Sequence, residues 1–456
     1  MVVRDESLPE AFRSVKIPLR SSLIRKILAF MGPGFLISVG YMDPGNWATD
    51  LEGGARYGYR LLWVVLLSNL MAILLQTLCV RLGLVTGRDL AQACREQFRK
   101  PAAIALWLLC ELAIIACDLA EVIGSAIALQ LLFGIPLIVG VAITTFDVLM
   151  LLGLAKFGFR KLEAIVITLV ATVAGCFMFQ MFLAKPDFGM VAKGLLIPSL
   201  PDADAIVISL GIIGATVMPH NLYLHSSIVQ SRSYERTAKG IREAIRFNTW
   251  DTIGALGAAF FVNAAILVLA GTVFDGRMAE VRELGDAQKL LKPILGGVAS
   301  TAFAVALLAA GQSSTITGTL AGQIVMEGFL DWKIAPHIRR IITRLMAVVP
   351  AMLIILIYGG HDTTRILTWS QVALSLQLPF AIVPLIVFTS NRKIMRDFVN
   401  PVWMTILSIV AASVIIGLNL YLVWERLGPV VLISIIGAVS AFATWVRFGY
   451  KERGKA

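Results

Sequence analysis

The sequence predicts an all-α polytopic membrane protein of about twelve transmembrane spans, and three observations carry that expectation. Of its 456 residues, 58% are apolar and 15% charged, with a mean hydropathy of +0.81; a soluble domain carries about 25% charge. The charges gather between apolar stretches of roughly 20 residues, the length that crosses about 30 Å of hydrocarbon. The Lys and Arg residues of the short connecting segments also alternate, dense on one side of the chain's path and sparse on the other.

The predicted spans lie near 28–51, 61–85, 103–127, 133–155, 162–183, 206–231, 250–273, 295–322, 341–358, 366–390, 402–423 and 427–446. Residues 1–27 are polar and basic, with no apolar run ending in small residues, so a cleavable signal is not expected. About three-quarters of the 40 Lys and Arg fall on the side of the N-terminal tail. That asymmetry places both termini in the cytoplasm of a multi-pass cell (inner) membrane protein, as an even number of spans requires. It also accounts for the net charge of +11: the basic residues are dispersed over membrane-flanking loops and form no nucleic-acid patch. The five cysteines form no CxxC pair and read as small apolar filler. The segments 184–205 and 274–294 are too short for separate domains.

An internal echo organises the chain. "DPGN" at 43–46 in the first span returns as "MPHN" at 218–221 in the sixth, both reading x-Pro-x-Asn inside an apolar segment. Five spans separate them, so the second copy crosses in the opposite direction. The chain then divides into a tail (1–27), a first inverted repeat (28–183), an extracytoplasmic loop (184–205), a second repeat (206–390), and two further spans with a cytoplasmic tail (391–456). Interrupted helices at matching positions of two inverted halves point to the midplane binding site of a transporter.

The prolines have a local consequence. Proline has no N–H for the carbonyl four residues earlier and its ring clashes there, so Pro44 frees the carbonyl of Gly40 and Pro219 that of Ala215. In lipid, such groups are tolerated only where they line a cavity or find another partner. Two broken helices meeting at the midplane gather Asp43, Asn46, Met218 and the two carbonyls. Simple proline kinks would leave Asp43 unexplained, because a carboxylate at the bilayer centre costs roughly 2.5–3.5 kcal/mol. A carboxylate with an amide oxygen suits many cations. A thioether is soft, and hard cations do not seek it, which shifts the expectation to a first-row divalent ion such as Mn²⁺ or Fe²⁺.

"DPGN" together with "MPHNLYLHS" resembles the Nramp family of proton-coupled divalent metal transporters, over about residues 28–423. The resemblance implies a LeuT-like fold of two inverted five-helix repeats, with the first and sixth spans unwound at the metal. It implies Asp43, Asn46 and Met218 as side-chain ligands, the Ala215 carbonyl in some states and the Gly40 carbonyl in others. The family's span-ten glutamine is matched in "WSQVALSLQLP" by Gln371. Magnesium-carrying relatives lack the methionine, so a transition-metal carrier is implied, for Mn²⁺, Fe²⁺ and similar ions such as Cd²⁺ and Co²⁺. A twelfth span departs from the eleven of some bacterial members. No cofactor is expected, only metal and proton as transported substrates, with the bilayer as surroundings, no nucleic-acid partner and a functional monomer.

A second polar line lies in the third span. Glu111, Asp118 and Glu121 are spaced seven and three apart, which places them on one helical face. Buried acids on one stripe read as a proton relay; the plainer alternative is structural pairing with basic residues. "HIRRIITR" offers Arg339 and Arg340 as partners, and the resemblance adds His220 to the route. Two rivals share parts of this pattern. A sodium-coupled amino-acid or other small-solute symporter has the architecture but no use for a carboxylate beside a thioether. A membrane metalloenzyme needs a denser ligand set than four histidines without HExxH provide, so no enzymatic activity is expected.

Overall fold

The computed structural model describes residues 6–9, 11–17, 22–146, 158–274, 284–332, 336–358 and 363–449. The chain is helical nearly throughout. Helices α1 (Leu23–Phe30) and α2 (Pro33–Gly40) meet at a 43° bend. Then come α3 (Pro44–Tyr57), α4 (Leu62–Thr86), the short α5 (Leu90–Gln97), α6 (Lys100–Phe133), α7 (Leu137–Thr144), α8 (Phe159–Ala184) and α9 (Phe188–Leu196). The second half holds α10 (Ala203–Thr216), α11 (Pro219–Ile228), α12 (Ala238–Val273), α13 (Leu284–Leu295), α14 (Gly297–Leu330), α15 (Pro336–Tyr358), α16 (Thr363–Gln377) and α17 (Pro379–Thr389). The last element, α18 (Val402–Gly449), is two helices joined at a kink, where Gly428 has φ 82° and Pro429 follows.

Among the described residues, eight helices are long and apolar enough to cross a membrane, or nine with the bent pair α1–α2. The twelve predicted segments map onto these helices as follows. The first predicted span is split into α2 and α3. The fourth is described as far as residue 146, with α7 covering Leu137–Thr144, and its remainder lies outside the described residues. In the ninth, the apolar part of α15 is confined to Ile341–Ile357. The twelfth is the continuation of α18 beyond Gly428.

Packing positions the two broken spans. The long helices α6 and α14 lie along each other, and α12 packs on α2, α3 and α4. Helix α10 rests on α16 and α3, while α16 also touches α6. Trp47 pins α3 in place, its ring edge-on to Phe177 at 4.8 Å and to Phe303 at 5.1 Å between centroids. Large apolar side chains such as Leu112, Phe182, Ile357 and Trp403 point outward, as hydrocarbon-facing surfaces require.

The bend between α1 and α2 is held by charge. Gly32 adopts φ 142°, a conformation that favours glycine. Its N–H and that of Gly34 both donate to Asp251, the latter at 2.7 Å. Beside it, buried Arg232 pairs with buried Glu163 at 2.7 Å and donates to the Met31 carbonyl, also at 2.7 Å.

The N-terminal tail is threaded through the loops. Ser7 donates to Asp89 and lies 2.7 Å from the Ser227 hydroxyl. The Arg13 N–H donates to the Gln230 carbonyl at 3.1 Å. Strand β1 (Val15–Lys16) pairs in parallel with β2 (Arg232–Ser233). Asp89 caps α5 in a reciprocal box with Gln92, and burial pushes its carboxyl up to about 6.

Candidate metal centre

Each broken span is interrupted at its proline. Helix α2 ends at Gly40, and Tyr41, Met42 and Asp43 are unwound before Pro44 opens α3. The freed backbone is partly re-satisfied: Asn263 donates to the Tyr41 carbonyl at 2.7 Å, and the Trp47 indole to that of Met42 at 3.2 Å. Helix α10 ends at Thr216, and Val217 and Met218 precede Pro219, which opens α11. Both prolines occupy a first helical turn, where a missing N–H costs least, yet neither has a donor for the carbonyl of Gly40 or Ala215. Asp43 and Met218 hold equivalent places, each extended and at the N-cap immediately before the proline. The sequence echo is therefore also an echo of backbone shape.

The two breaks meet on α6. Met218 packs with Ala113, Cys117 and Leu374, and the Cys117 thiol donates to Asp43 Oδ2 at 3.6 Å. Asp43 Oδ1 accepts the Asn46 N–H at 2.8 Å, so one oxygen caps α3 while the other faces α6. The Asn221 amide donates to Met218 Sδ at 3.7 Å. A side chain at Gly40 would collide with the Asn221 amide, and one at Gly45 with the Gln371 amide; these glycines let both amides press against the first broken span. The structure thus brings Asp43, Asn46, Met218 and Gln371 into one buried region with Gly40 and Ala215, none of the four side chains more than 1% exposed.

The electrostatics of this region are one-sided. Asn46 Oδ1, Gln371 Oε1, Asn221 Oδ1 and Thr216 Oγ1 are buried and have no hydrogen-bond partner. An unmet buried acceptor costs about 1–3 kcal/mol, and several of them near a buried carboxylate leave lone pairs without a partner. A cation answers that deficit. Among the described residues no three of His, Cys, Asp and Glu gather as a metal cluster, so the donors here are mixed: one carboxylate, amide oxygens, carbonyls and a thioether. Two members were missed in the sequence. Asn221 stands inside the "MPHN" motif but was read only as part of the echo. Cys117, read as filler, instead touches both Asp43 and Met218; its place four residues before Glu121 on the same helix was the available signal.

The acid line continues from this point. Asp118 and Glu121 are buried on α6, whereas Glu111 is only half-buried. Cys117 Sγ lies 3.8 Å from Glu121 Oε1, joining Asp43 to the acids through one thiol. The side chains of Arg339 and Arg340 lie outside the described residues. The cation that faces Glu121 is Arg344, 3% exposed, with Nη1 4.0 Å from Oε2 and Nε donating to the Thr144 carbonyl at 3.2 Å. Arg344 closes the same "HIRRIITR" string, and its place four residues after Arg340 was the available signal. His220 is buried on α11. His225 Nδ1 is 2.9 Å from Gln76 Oε1, and Gln76 donates to the Tyr41 hydroxyl at 2.8 Å, which ties α11 to the first break. Removing the cation alone, Arg344→Gln, is expected to lower stability by about 3 kcal/mol by stranding a buried carboxylate. Adding Glu121→Gln should recover part of that loss, as read by thermal unfolding of the four members of the cycle.

Comparisons with known proteins identify the family. The family described as Nramp, natural resistance-associated macrophage protein-like, matches residues 34–425. A Nostoc sp. protein named divalent metal cation transporter MntH is 56% identical, over 92% of this chain and 96% of its own. A Listeria monocytogenes protein of the same name is 54% identical, over 92% and 95%. The crystal structure of the Eremococcus coleocola manganese transporter, in complex with an aromatic bis-isothiourea substituted compound, superposes with a TM-score of 0.90 at 38% identity, covering 98% of this chain and 99% of that one. The nucleobase-cation-symport-1 family transporter Mhp1, at 15% identity and a TM-score of 0.52 over 91% of this chain and 93% of its own, shares the LeuT-like fold alone. So does MhsT in complex with L-phenylalanine, at 15% identity and 0.56 over 85% and 98%. Sequence, fold and donor set converge: this chain belongs to the Nramp family, whose members are membrane transporters and not enzymes.

Proposed function

We propose that the protein carries divalent transition-metal ions, Mn²⁺ and Fe²⁺ with congeners such as Cd²⁺ and Co²⁺, across the plasma membrane by alternating access coupled to protons. The observation that carries this reading is the buried carboxylate, thioether and unmet amide oxygens gathered where the two helix breaks meet. Asp43 supplies the neutralising charge, Asn46 and Gln371 amide oxygens, and Met218 the sulfur that discriminates among cations. The carbonyls of Ala215 and Gly40 complete the shell in alternate states. The names of the relatives, divalent metal cation transporter and manganese transporter, support the same substrate class. An amino-acid or other solute symporter would share the fold, but its carboxylate and amine have no need of a thioether.

Asp118 and Glu121, with Glu111, His220, Arg339 and Arg340, form the proposed proton route. Two acids buried on one face of a spanning helix support it, since ionisable residues inside a membrane are functional by default; the Arg344–Glu121 contact is what structural pairing would also place there. In this reading residues 28–183 and 206–390 are two inverted repeats, both termini are cytoplasmic and one chain in the bilayer is the functional unit. Proteoliposomes holding a pH dye test the whole proposal. Mn²⁺ entry with simultaneous lumenal acidification is expected. Entry at constant lumenal pH would discard the coupling, and absence of entry would discard the transport.

A further inference from the structure

A second concave region shares no lining residue with the metal centre and lies between α1 and the first turns of α12. It encloses about 750 Å³, and Lys26, Lys239, Arg242 and Arg246 line it together with Phe30 and Phe247. The two rings stack at 5.3 Å between centroids and form its floor. Lys239, Arg242 and Arg246 are spaced three and four apart, so they share one face of α12. Among the described residues, these three side chains have no ion-pair partner. Lys26 is taken by Glu243 at 2.5 Å. Counting Glu235 as well, four cations face two carboxylates, leaving a net charge of +2.

The surroundings fix its depth. Four residues beyond Arg246, on the same face, stands Trp250, 61% exposed; Leu23, 63% exposed, lines the opposite end of the region with Lys239. Basic residues followed along one helix face by an exposed indole is the order met on passing from headgroups toward hydrocarbon. A bias toward Lys and Arg in loops explains charges scattered over a convex surface. It does not explain three unpaired cations converging on a cavity with an aromatic floor.

We infer that this cavity binds the headgroup of an anionic phospholipid. Its phosphodiester lies among Lys239, Arg242 and Arg246, and its glycerol and first acyl carbons lie on Phe30 and Phe247. A phosphocholine brings its own cation into an already positive site, so a lipid with net negative charge is selected. The lipid bridges α1 to α12, and α1 is joined to the first broken span through the Gly32 bend, so occupancy favours the docked position of α1.

The test uses the purified full-length protein in detergent, titrated with phosphatidylglycerol, with phosphatidylcholine and with inorganic phosphate, and read by thermal unfolding and by native mass spectrometry. Phosphatidylglycerol is expected to raise the unfolding temperature and to remain bound as one lipid per chain, with an effect that shrinks at high salt. The triple variant Lys239→Gln, Arg242→Gln, Arg246→Gln alters exposed positions only. It should weaken the apparent affinity on the order of 100-fold, since each basic residue near an anionic headgroup contributes about fivefold. An equal response to phosphatidylcholine overturns the inference, as does an unchanged response in the triple variant. A full response to inorganic phosphate alone would assign the cavity to a free anion and likewise overturn it.

Discussion

Asp43→Ala abolishes metal uptake, and Asp43→Asn comes close to doing so: that is the largest effect expected of any single substitution here. The carboxylate stands at the break of the first span, fully buried. At an effective dielectric of 20, a unit charge 4 Å away is worth about 4 kcal/mol, and a dication doubles this to roughly 8 kcal/mol, five to six powers of ten in binding. The two variants separate charge from shape. Asparagine caps helices about as well as aspartate does, so Asp43→Asn keeps the bond to the Asn46 N–H that starts α3. Alanine loses that cap too, at a further cost of about 1 kcal/mol. Mn²⁺ uptake at matched expression is the measurement, and full uptake by either variant would remove Asp43 from the site.

Met218→Ala is the second large effect, and it falls on selectivity. The substitution removes a soft donor but no charge, and the small space beside Cys117 and Leu374 admits water. A water oxygen suits Ca²⁺ and Mg²⁺ better than sulfur does. The variant should therefore keep substantial Mn²⁺ transport, bind Cd²⁺ more weakly and admit Ca²⁺ or Mg²⁺ that the parent rejects. Asp43 attracts and Met218 discriminates, so the two substitutions fail in different ways. Competition shows it: Mn²⁺ uptake with excess Ca²⁺, parent and variant side by side. Equal competition in both would return Met218 to packing.

Much of this was readable before the fold because the decisive features are local. Proline has no N–H for the preceding turn, and the x-Pro-x-Asn echo singled out Pro44 and Pro219 as the interruptions from among prolines that helices tolerate, such as Pro350 and Pro384. Asp118 and Glu121, three apart on α6, had to share a face. What escaped the sequence depends on rotation and on distant pairing. Which arginine of "HIRRIITR" turns inward is decided by how α15 sits against α7, where the Thr144 carbonyl receives Arg344. The Glu163–Arg232 pair and the Asp251 bonds to Gly32 and Gly34 join residues tens to hundreds of positions apart, and no periodicity reports them. Hydropathy sees apolar length and not continuity, so it gave no sign of the 43° bend between α1 and α2 or of the kink at Gly428.

The threaded N-terminal tail sets an order of events during synthesis. Ser7, Arg13 and Val15–Lys16 leave the ribosome first, but their partners are Ser227, Gln230 and Arg232–Ser233, together with Asp89. The tail cannot close until the sixth span has been made, some 220 residues later, which at about 5–20 residues per second is a wait of roughly 10–45 seconds. The first segment synthesised is thus among the later ones to dock. Its closure, which ties the loop after α4 to the segment after α11, marks a chain whose two halves have already come together.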